Sequence, residues 1–499
     1  HLSIRRQRQM CIRDRVHAIM DLYQVTQQSI SHEIILSTLD GVVHKVFVDK
    51  AHLSSAFGGD SILEDLEKLV FRLVEKLGVP WTSKATLKTL LAMRKQSYRI
   101  ATLLHSPSAS SSSLSPSSGT PSLLSCHDPQ SFMDNAARLL LLYYQGVAES
   151  TPSSEASDHY LPHEDTLDVF RFANTYNGSM TDHLWELQHV IRHHGAYDDR
   201  LVRDTTTEAL LLLARSDSSH WQDRGFDMLV KMEMSSQASR NSTLFRPKDK
   251  ELDVMLSSAS RSGNVQRATW IFRQLYDRRH SSTSTDRLKL WCQLMNSYAQ
   301  SNHPGSVSYM ERLLKTHKEA RHRDTYNILL RARSQQQLPG TGSKAEEVLN
   351  EMMMHASSTD SSSSSIEPNF ESLYYVALTY LKEEPTSFQN ILDADMMVRR
   401  VLAGHNMTRS GGSSSNNNSP WPIMERILQA YASVDHDKAM QAAVDFFRFF
   451  LVHHSKGQIT ERPTAKHLSY LFAMLERKPS KKSTKTKVEL GKLVDGLPM

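Results

Sequence analysis

The chain has 499 residues, a formal net charge of +5, and hydrophobic and charged fractions of 39% and 23%. This length allows two or three domains or one long repeat array, and the small positive charge permits a polyanionic partner without requiring one. Its three cysteines, Cys11, Cys126 and Cys292, form no CxxC pair, which excludes a disulfide framework and argues against a cysteine zinc site.

Residues 1–15 contain the run Arg5-Arg6-Gln7-Arg8-Gln9-Met10-Cys11-Ile12-Arg13-Asp14-Arg15. It resembles the translated sequencing-adapter run found at the ends of some assembled transcripts, so we expect residues 1–15 to be an artefact rather than a transit peptide. Residues 16–103 are predicted to be helical, with one hint of extended chain at Gly41–Lys50, where valines alternate. A serine-rich stretch then predicts a disordered linker at 104–128, and a second helical region follows at 129–199.

From residue 200 onward, pairs of amphipathic helices recur. Leu252, Met255, Leu256 and Ala259 lie at i, i+3, i+4 and i+7 and form one apolar stripe, and Gly263 follows in a turn suited to ending that helix. The predicted first helices of successive pairs begin near Asp204, Asp249, Asp286, Asp324, Phe370, Trp421 and Thr464. A single hairpin cannot bury its apolar face alone. We therefore predict an all-α fold, an α-solenoid of stacked antiparallel helical hairpins over residues 200–478.

Serine-rich segments interrupt this repeat region. We predict disordered insertions at 357–365 and 410–420 and a basic, flexible tail at 479–499, because these segments cannot bury enough apolar surface to offset chain entropy. No apolar run reaches the ~18 residues needed to span a bilayer, so we expect no contact with a membrane.

The repeat at Asp324 carries more than a periodicity. Its opening, Asp324-Thr325-Tyr326-Asn327-Ile328-Leu329-Leu330, is followed by Ala345 and Glu351-Met352 in the second helix, and the repeat closes with Pro368-Asn369. This order resembles a pentatricopeptide repeat, and the resemblance extends by spacing over about residues 200–478. Tetratricopeptide repeats would instead show a period of about 34 residues and a small-residue pattern that the chain lacks.

The resemblance to the pentatricopeptide repeat family implies a protein that binds single-stranded RNA in a mitochondrion or plastid and affects RNA processing, stability or translation. In that family one base is read per repeat, by the fifth residue of the first helix and the final residue of the repeat. The corresponding positions are Lys248 and Asp253, Arg323 and Ile328, Asn369 and Tyr374, and Thr464 and Ser469. Since the family usually has Asn, Thr or Ser at the fifth position, Ile328 and Tyr374 depart from the pattern. They predict weakly specific RNA binding or a change to protein partners.

The alternative is a protein-binding α-solenoid scaffold, such as a subunit of an organellar complex or of a ribosome. RNA binding predicts a positively charged concave surface, whereas a scaffold predicts an apolar or mixed-charge groove. We predict no enzyme, no cofactor and no small-molecule substrate, because the chain has no phosphate-binding loop, dinucleotide motif or nucleophile elbow, and no acidic cluster for a fused ribonuclease. His189 and His193 have metal-ligand spacing on a helix, but no HExxH glutamate and no third ligand accompany them.

Overall fold

The computed structural model describes residues 129–150, 163–175, 179–193, 199–238, 246–279, 283–301, 303–358, 366–383, 387–404, 421–436, 438–455 and 465–477, together with residues 67, 70–71, 84, 86–92 and 488. Most of the predicted helical region 16–103, including Gly41–Lys50, lies outside these ranges. The same holds for residues 1–15, the linker 104–128, most of the segment 357–365, all of 410–420, and the tail 479–499 except residue 488.

Every regular element in these ranges is helical. The α-helices are α1 (Pro129–Ser150), α2 (His163–Thr175), α3 (Asp182–His193), α4 (Asp199–Arg215), α5 (Ser219–Ala238), α6 (Asp249–Ser262), α7 (Val265–Arg278), α8 (Ser284–Gln300), α9 (Ser306–Thr316), α10 (Arg323–Ser334), α11 (Thr341–Ser358), α12 (Phe370–Lys382), α13 (Phe388–Gly404), α14 (Trp421–Ser433), α15 (Ala439–Ser455) and α16 (Ala465–Arg477). A 3₁₀ turn, Lys318–Ala320, precedes α10.

The chain divides into two compact units, residues 1–258 and 259–499. In the first unit, α1 packs against α2 and α3, and α4 packs against α2, α3 and α5. Side chains also join α4 to α6, because Arg203 donates to both carboxylate oxygens of Glu251 at 2.8 and 2.9 Å.

The helices of the second unit alternate between two roles. The first helices α8, α10, α12, α14 and α16 form a row in which each packs against the next, and α9, α11, α13 and α15 each contact two successive first helices. Among the second helices that the structure describes, only α13 and α15 make more than a marginal contact with each other, and this contact is much less extensive than those between successive first helices. The row of first helices is therefore the more closely packed, inner row. This arrangement confirms the predicted all-α solenoid of stacked hairpins.

Local sequence signals position these helices. The helices predicted at Asp249, Phe370 and Trp421 begin at those residues, and those predicted at Asp286 and Asp324 begin two and one residues earlier. Apolar side chains at helical spacing fill the interior; Phe446, Phe447 and Phe450 of α15 are all fully buried.

Gly263 closes the turn after α6. Its φ of 68° lies in the left-handed region, and a Cβ at this position would stand 2.7 Å from the carbonyl oxygen of Gln300. Only glycine meets both demands, which lets the α6–α7 turn lie directly against the end of α8.

Candidate functional site

The first helices share a capping arrangement at their N-termini. In α12, the side chain of Asn369 accepts from the backbone N–H of Ser372 at 3.0 Å, and the Ser372 hydroxyl accepts from the N–H of Asn369 at 3.2 Å. In α6, the carboxylate of Glu251 accepts from the N–H of Lys248 at 2.8 Å. Each capping partner, Ser372 or Glu251, is completely buried three residues after the cap. Such reciprocal bonds satisfy donors that a helix start leaves unpaired.

The capping residue of α10 is His322, not Arg323. Its Nδ1 accepts from the N–H of Asp324 at 3.2 Å, and Thr325 accepts from the N–H of His322 at 3.1 Å. Burial is the largest influence on the pKa of His322 and lowers it, which favours the neutral ring that this acceptor role requires.

The caps set a register for comparing repeats. Asp253 and Tyr374 stand five residues after their caps, Lys248 and Asn369, whereas Ile328 stands six residues after His322. In this register the equivalent of Tyr374 in α10 is Asn327. Counted from the caps, the predicted pair Arg323 and Ile328 lies one residue further along α10 than the pairs Lys248 and Asp253 and Asn369 and Tyr374 lie along α6 and α12.

Asn327 holds neighbouring repeats together. Its amide nitrogen donates to Asn369 and Glu371 at 3.2 Å each, and its amide oxygen accepts from the Ser372 hydroxyl at 2.6 Å. Asn327 is buried, and Ile328 beside it is only 9% exposed. Asn327 therefore serves the joint between α10 and α12, where no ligand can reach its hydrogen-bonding groups.

The other sequence-predicted positions have mixed surroundings. Arg323, Asn369 and Tyr374 are half-buried, and the ring of Tyr374 stands edge-to-face with that of Tyr375 at 5.6 Å. Ser469 is exposed, and its hydroxyl donates to the Lys466 carbonyl at 2.7 Å.

Three of the predicted positions stand apart from this group. Lys248 is exposed and Asp253 half-buried, and both belong to the first unit, whereas Arg323, Ile328, Asn369, Tyr374 and Ser469 belong to the second. Thr464 lies outside the described residues.

A line of solvent-facing side chains follows the inner row of first helices. We call it the inner stripe; its members recur at i+3, i+4 and i+7 along each helix, the spacing of one helical face. It consists of Lys289, Gln293 and Asn296 on α8, Asp324 and Arg331 on α10, Glu371, Tyr374, Tyr375, Leu378 and Lys382 on α12, Glu425, Arg426 and Gln429 on α14, and Lys466, Ser469, Tyr470 and Ala473 on α16. Ile328 lies on the same face of α10 but is buried.

Two of the three carboxylates of the inner stripe have polar partners. Glu425 forms an ion pair with Lys466 at 2.6 Å, which lowers the pKa of Glu425. Glu371 accepts from the amide of Asn327. The third carboxylate, Asp324, is exposed to solvent, and the neutral ring of His322 beside it does not offset its charge.

Four cations of the inner stripe have no carboxylate partner among the described residues. They are Lys289, Arg331, Lys382 and Arg426. Arg331 donates across the row to Asn296 of α8, and Arg426 donates to Gln429 at 3.3 Å, so both guanidinium groups are held in place by neutral amides. A cation oriented in this way keeps its full charge for an external anion.

Tyrosines share the inner stripe with these cations. Burial, and then the neighbouring Glu371, raises the pKa of Tyr375, which keeps the phenol neutral at physiological pH. Tyr470 of α16 lies with its hydroxyl 3.5 Å from Glu425 of α14. Because Tyr374, Tyr375 and Tyr470 are half-buried, each presents only part of its ring to solvent.

Metal-binding and membrane-spanning features do not occur in the part of the chain that the structure describes. Among those residues, no group of three or more His, Cys, Asp and Glu side chains could hold a metal ion. His189 is exposed on α3. None of the helices in the described ranges combines the length and the apolar character needed to cross a membrane.

Similarity to known proteins is slight. No family model and no curated protein matches the chain. Among solved structures, the crystal structure of the pentatricopeptide repeat protein PPR10 from maize is similar over 97% of this chain and 76% of that chain, with 9% identity and a TM-score of 0.23. A TM-score this low does not establish a common fold, and the stacked hairpins are identified from the helix contacts of this chain alone.

Proposed function

We propose that the second unit binds single-stranded RNA along the inner stripe, as a divergent protein of the pentatricopeptide type. The observation that carries this proposal is the asymmetry of charge on the stripe. Its carboxylates Glu371 and Glu425 are engaged by protein partners, whereas Lys289, Arg331, Lys382 and Arg426 have no carboxylate partner among the described residues. A surface with unpaired cations and paired acids favours a polyanion.

The tyrosines favour a single strand over a duplex. Unpaired bases can stack on aromatic rings, each contributing ~1–3 kcal/mol, whereas the bases of a duplex are already stacked on each other. Tyr374 and Tyr375 precede Arg426 along the row, and Tyr470 follows it. This order places Tyr374 and Tyr375 between the proposed phosphate contacts of Arg331 and Arg426, as a single strand requires. Stacking is tolerant of sequence, so we expect weak base preference.

We infer that the protein acts in RNA processing, stability or translation in a mitochondrion or plastid. This biological role is supported by the resemblance of the repeat at Asp324 to a pentatricopeptide repeat.

A protein-binding scaffold is the second candidate. Large apolar side chains are exposed on successive second helices, with Met354 of α11 65% exposed, Met396 of α13 56% and Val452 of α15 48%. Exposed apolar groups on the outer helices are of no use to an RNA ligand on the inner row, but they suit a protein partner. The two functions use different faces and are compatible.

The experiment compares two charge-removing double variants of the full chain in binding to a pool of single-stranded RNA, as a function of salt. Arg331→Ala/Arg426→Ala removes cations from the inner stripe, and the control, Lys315→Ala/Lys344→Ala, removes exposed cations from α9 and α11. We expect the first variant to lower the slope of log affinity against log salt by about 0.7 for each lost phosphate contact. The control should keep the wild-type slope. Equal slopes for both variants would contradict the proposal, as would the absence of binding by the wild type at low salt.

A further inference from the structure

Two tryptophans of the first unit lie beside an arginine. The guanidinium carbon of Arg224 on α5 lies 5.1 Å from the ring centre of Trp185 on α3 and 5.0 Å from that of Trp221 on α5. The two indole rings are 6.1 Å apart, and His220 lies against Trp221 at 5.2 Å. His220 is exposed and the other three side chains are half-buried, so the group reaches the surface.

The hydrogen-bond donors of this group are unused within the described residues. Arg224 makes no hydrogen bond and no ion pair there, and neither indole N–H has an acceptor. The guanidinium lies beside both indole rings and makes no hydrogen bond among the described residues, so its planar N–H groups are available to a ligand. The group therefore combines several free donors, one fixed positive charge and no acceptor bound to them. That combination matches the needs of a phosphate oxygen.

We propose that Trp185, Trp221 and Arg224 form a nucleotide contact, in which Arg224 binds a phosphate of single-stranded RNA and a base packs against the exposed part of the indoles. The choice of ligand rests on the proposed function, but the residues lie in the first unit and are not part of the inner stripe. If this group served only to pack α3 against α5, a leucine or methionine at position 224 would serve as well as arginine.

Acidic neighbours limit the strength of the contact. Asp217, four residues before Trp221, is exposed just ahead of α5, and Asp227, three residues after Arg224, is exposed on α5 itself. Neither forms an ion pair with Arg224, yet each opposes an incoming phosphate through space. Asp227→Asn should therefore strengthen RNA binding, a gain of function that a merely structural cluster would not produce.

The first test uses RNA and the full chain. Arg224→Gln removes the guanidinium, Arg224→Lys keeps the charge without the planar fork, and Arg171→Gln is the matched control, because Arg171 of the same unit already pairs with Glu164 at 2.8 Å. We expect Arg224→Gln to weaken binding about tenfold near physiological salt and to reduce the salt slope by about 0.7. Arg224→Lys should restore the slope but only part of the affinity. Wild-type affinity and slope in Arg224→Gln would overturn the proposal.

The second test does not depend on RNA binding by the inner stripe. Adenosine 5′-monophosphate and adenosine are added separately while tryptophan fluorescence is recorded, in the wild type and in Trp185→Phe/Trp221→Phe, which retains four of the six tryptophans. We expect a response to the phosphorylated compound in the wild type only. If the chain binds no RNA but this response is present, the proposed function fails and the nucleotide contact stands. If RNA binds normally to Arg224→Gln and the fluorescence response is absent, the contact fails and the proposed function stands.

Discussion

The ion pair between Arg203 and Glu251 predicts a large and local loss of stability when one partner is neutralised. The side chains are 5% and 0% exposed, and Glu251 also accepts from the Thr207 hydroxyl at 2.6 Å and from the N–H of Lys248. Glu251→Gln keeps the volume but leaves the charge of Arg203 buried without a counterion. Breaking a buried pair in this way costs about 3–5 kcal/mol.

Hydrogen exchange resolved by mass spectrometry measures this loss within α4 and α6. A cost of about 3 kcal/mol corresponds to roughly 100-fold faster exchange of amides that exchange through local opening. The control is Glu164→Gln, which removes the carboxylate from an exposed pair, with side chains 47% and 67% exposed, and should change exchange little. If Glu251→Gln exchanged at the wild-type rate, or no faster than Glu164→Gln, the buried pair would not be a stabilising tie between α4 and α6.

Gly263→Ala should lower the thermal midpoint of unfolding more than Gly340→Ala. Both glycines have a positive φ, a conformation that costs alanine about 1–2 kcal/mol, but only a Cβ at 263 would also meet backbone atoms. Equal midpoints for the two variants would refute this reasoning. Because burial lowers the pKa of His322 in the folded state, its capping contribution is complete above the unfolded pKa and is lost as pH falls through the folded pKa. As the pH is lowered from about 7 to about 5, the thermal midpoint of the wild type should therefore fall more steeply than that of His322→Asn. Parallel falls would contradict the conclusion that the neutral His322 ring caps α10 by accepting from the N–H of Asp324. Burial, and then the charge of Asp324, raises the pKa of the Cys292 thiol to about 12, so site-resolved alkylation at neutral pH should label it slowly until the protein is denatured; rapid labelling of the native protein would count against this environment.

The helix starts were predictable because their signals are local. Asn369 caps α12 and the apolar residues behind it follow a 3.6-residue period, so the start at Phe370 needs no tertiary information. At α10 the same logic gave a start within one residue, but the cap itself was missed. His322 is a less common capping residue than Asn or Ser, and Arg323 follows it without any distinguishing signal.

The candidate site was less predictable because its character depends on contacts between repeats. Nothing in the sequence around Asn327 indicates that its amide bonds to three residues at the start of the next first helix, 42 to 45 positions later. The pairing of Glu425 with Lys466, which leaves Arg426 as the cation without a carboxylate partner, likewise depends on the stacking of α14 on α16. Helical spacing alone could have identified Arg331 as a neighbour of Ile328, since the two are three residues apart on one face.

The inner stripe, and not the second helices, is proposed to contact single-stranded RNA. Photo-crosslinking of a 4-thiouridine-substituted single-stranded RNA pool to the full chain, followed by mass spectrometry of the crosslinked peptides, locates the RNA on the protein. We predict crosslinks in α8, α10, α12 and α14, concentrated near Tyr375 and Arg426. Crosslinks confined to α9, α11, α13 and α15, or an absence of crosslinks at low salt, would contradict the claim.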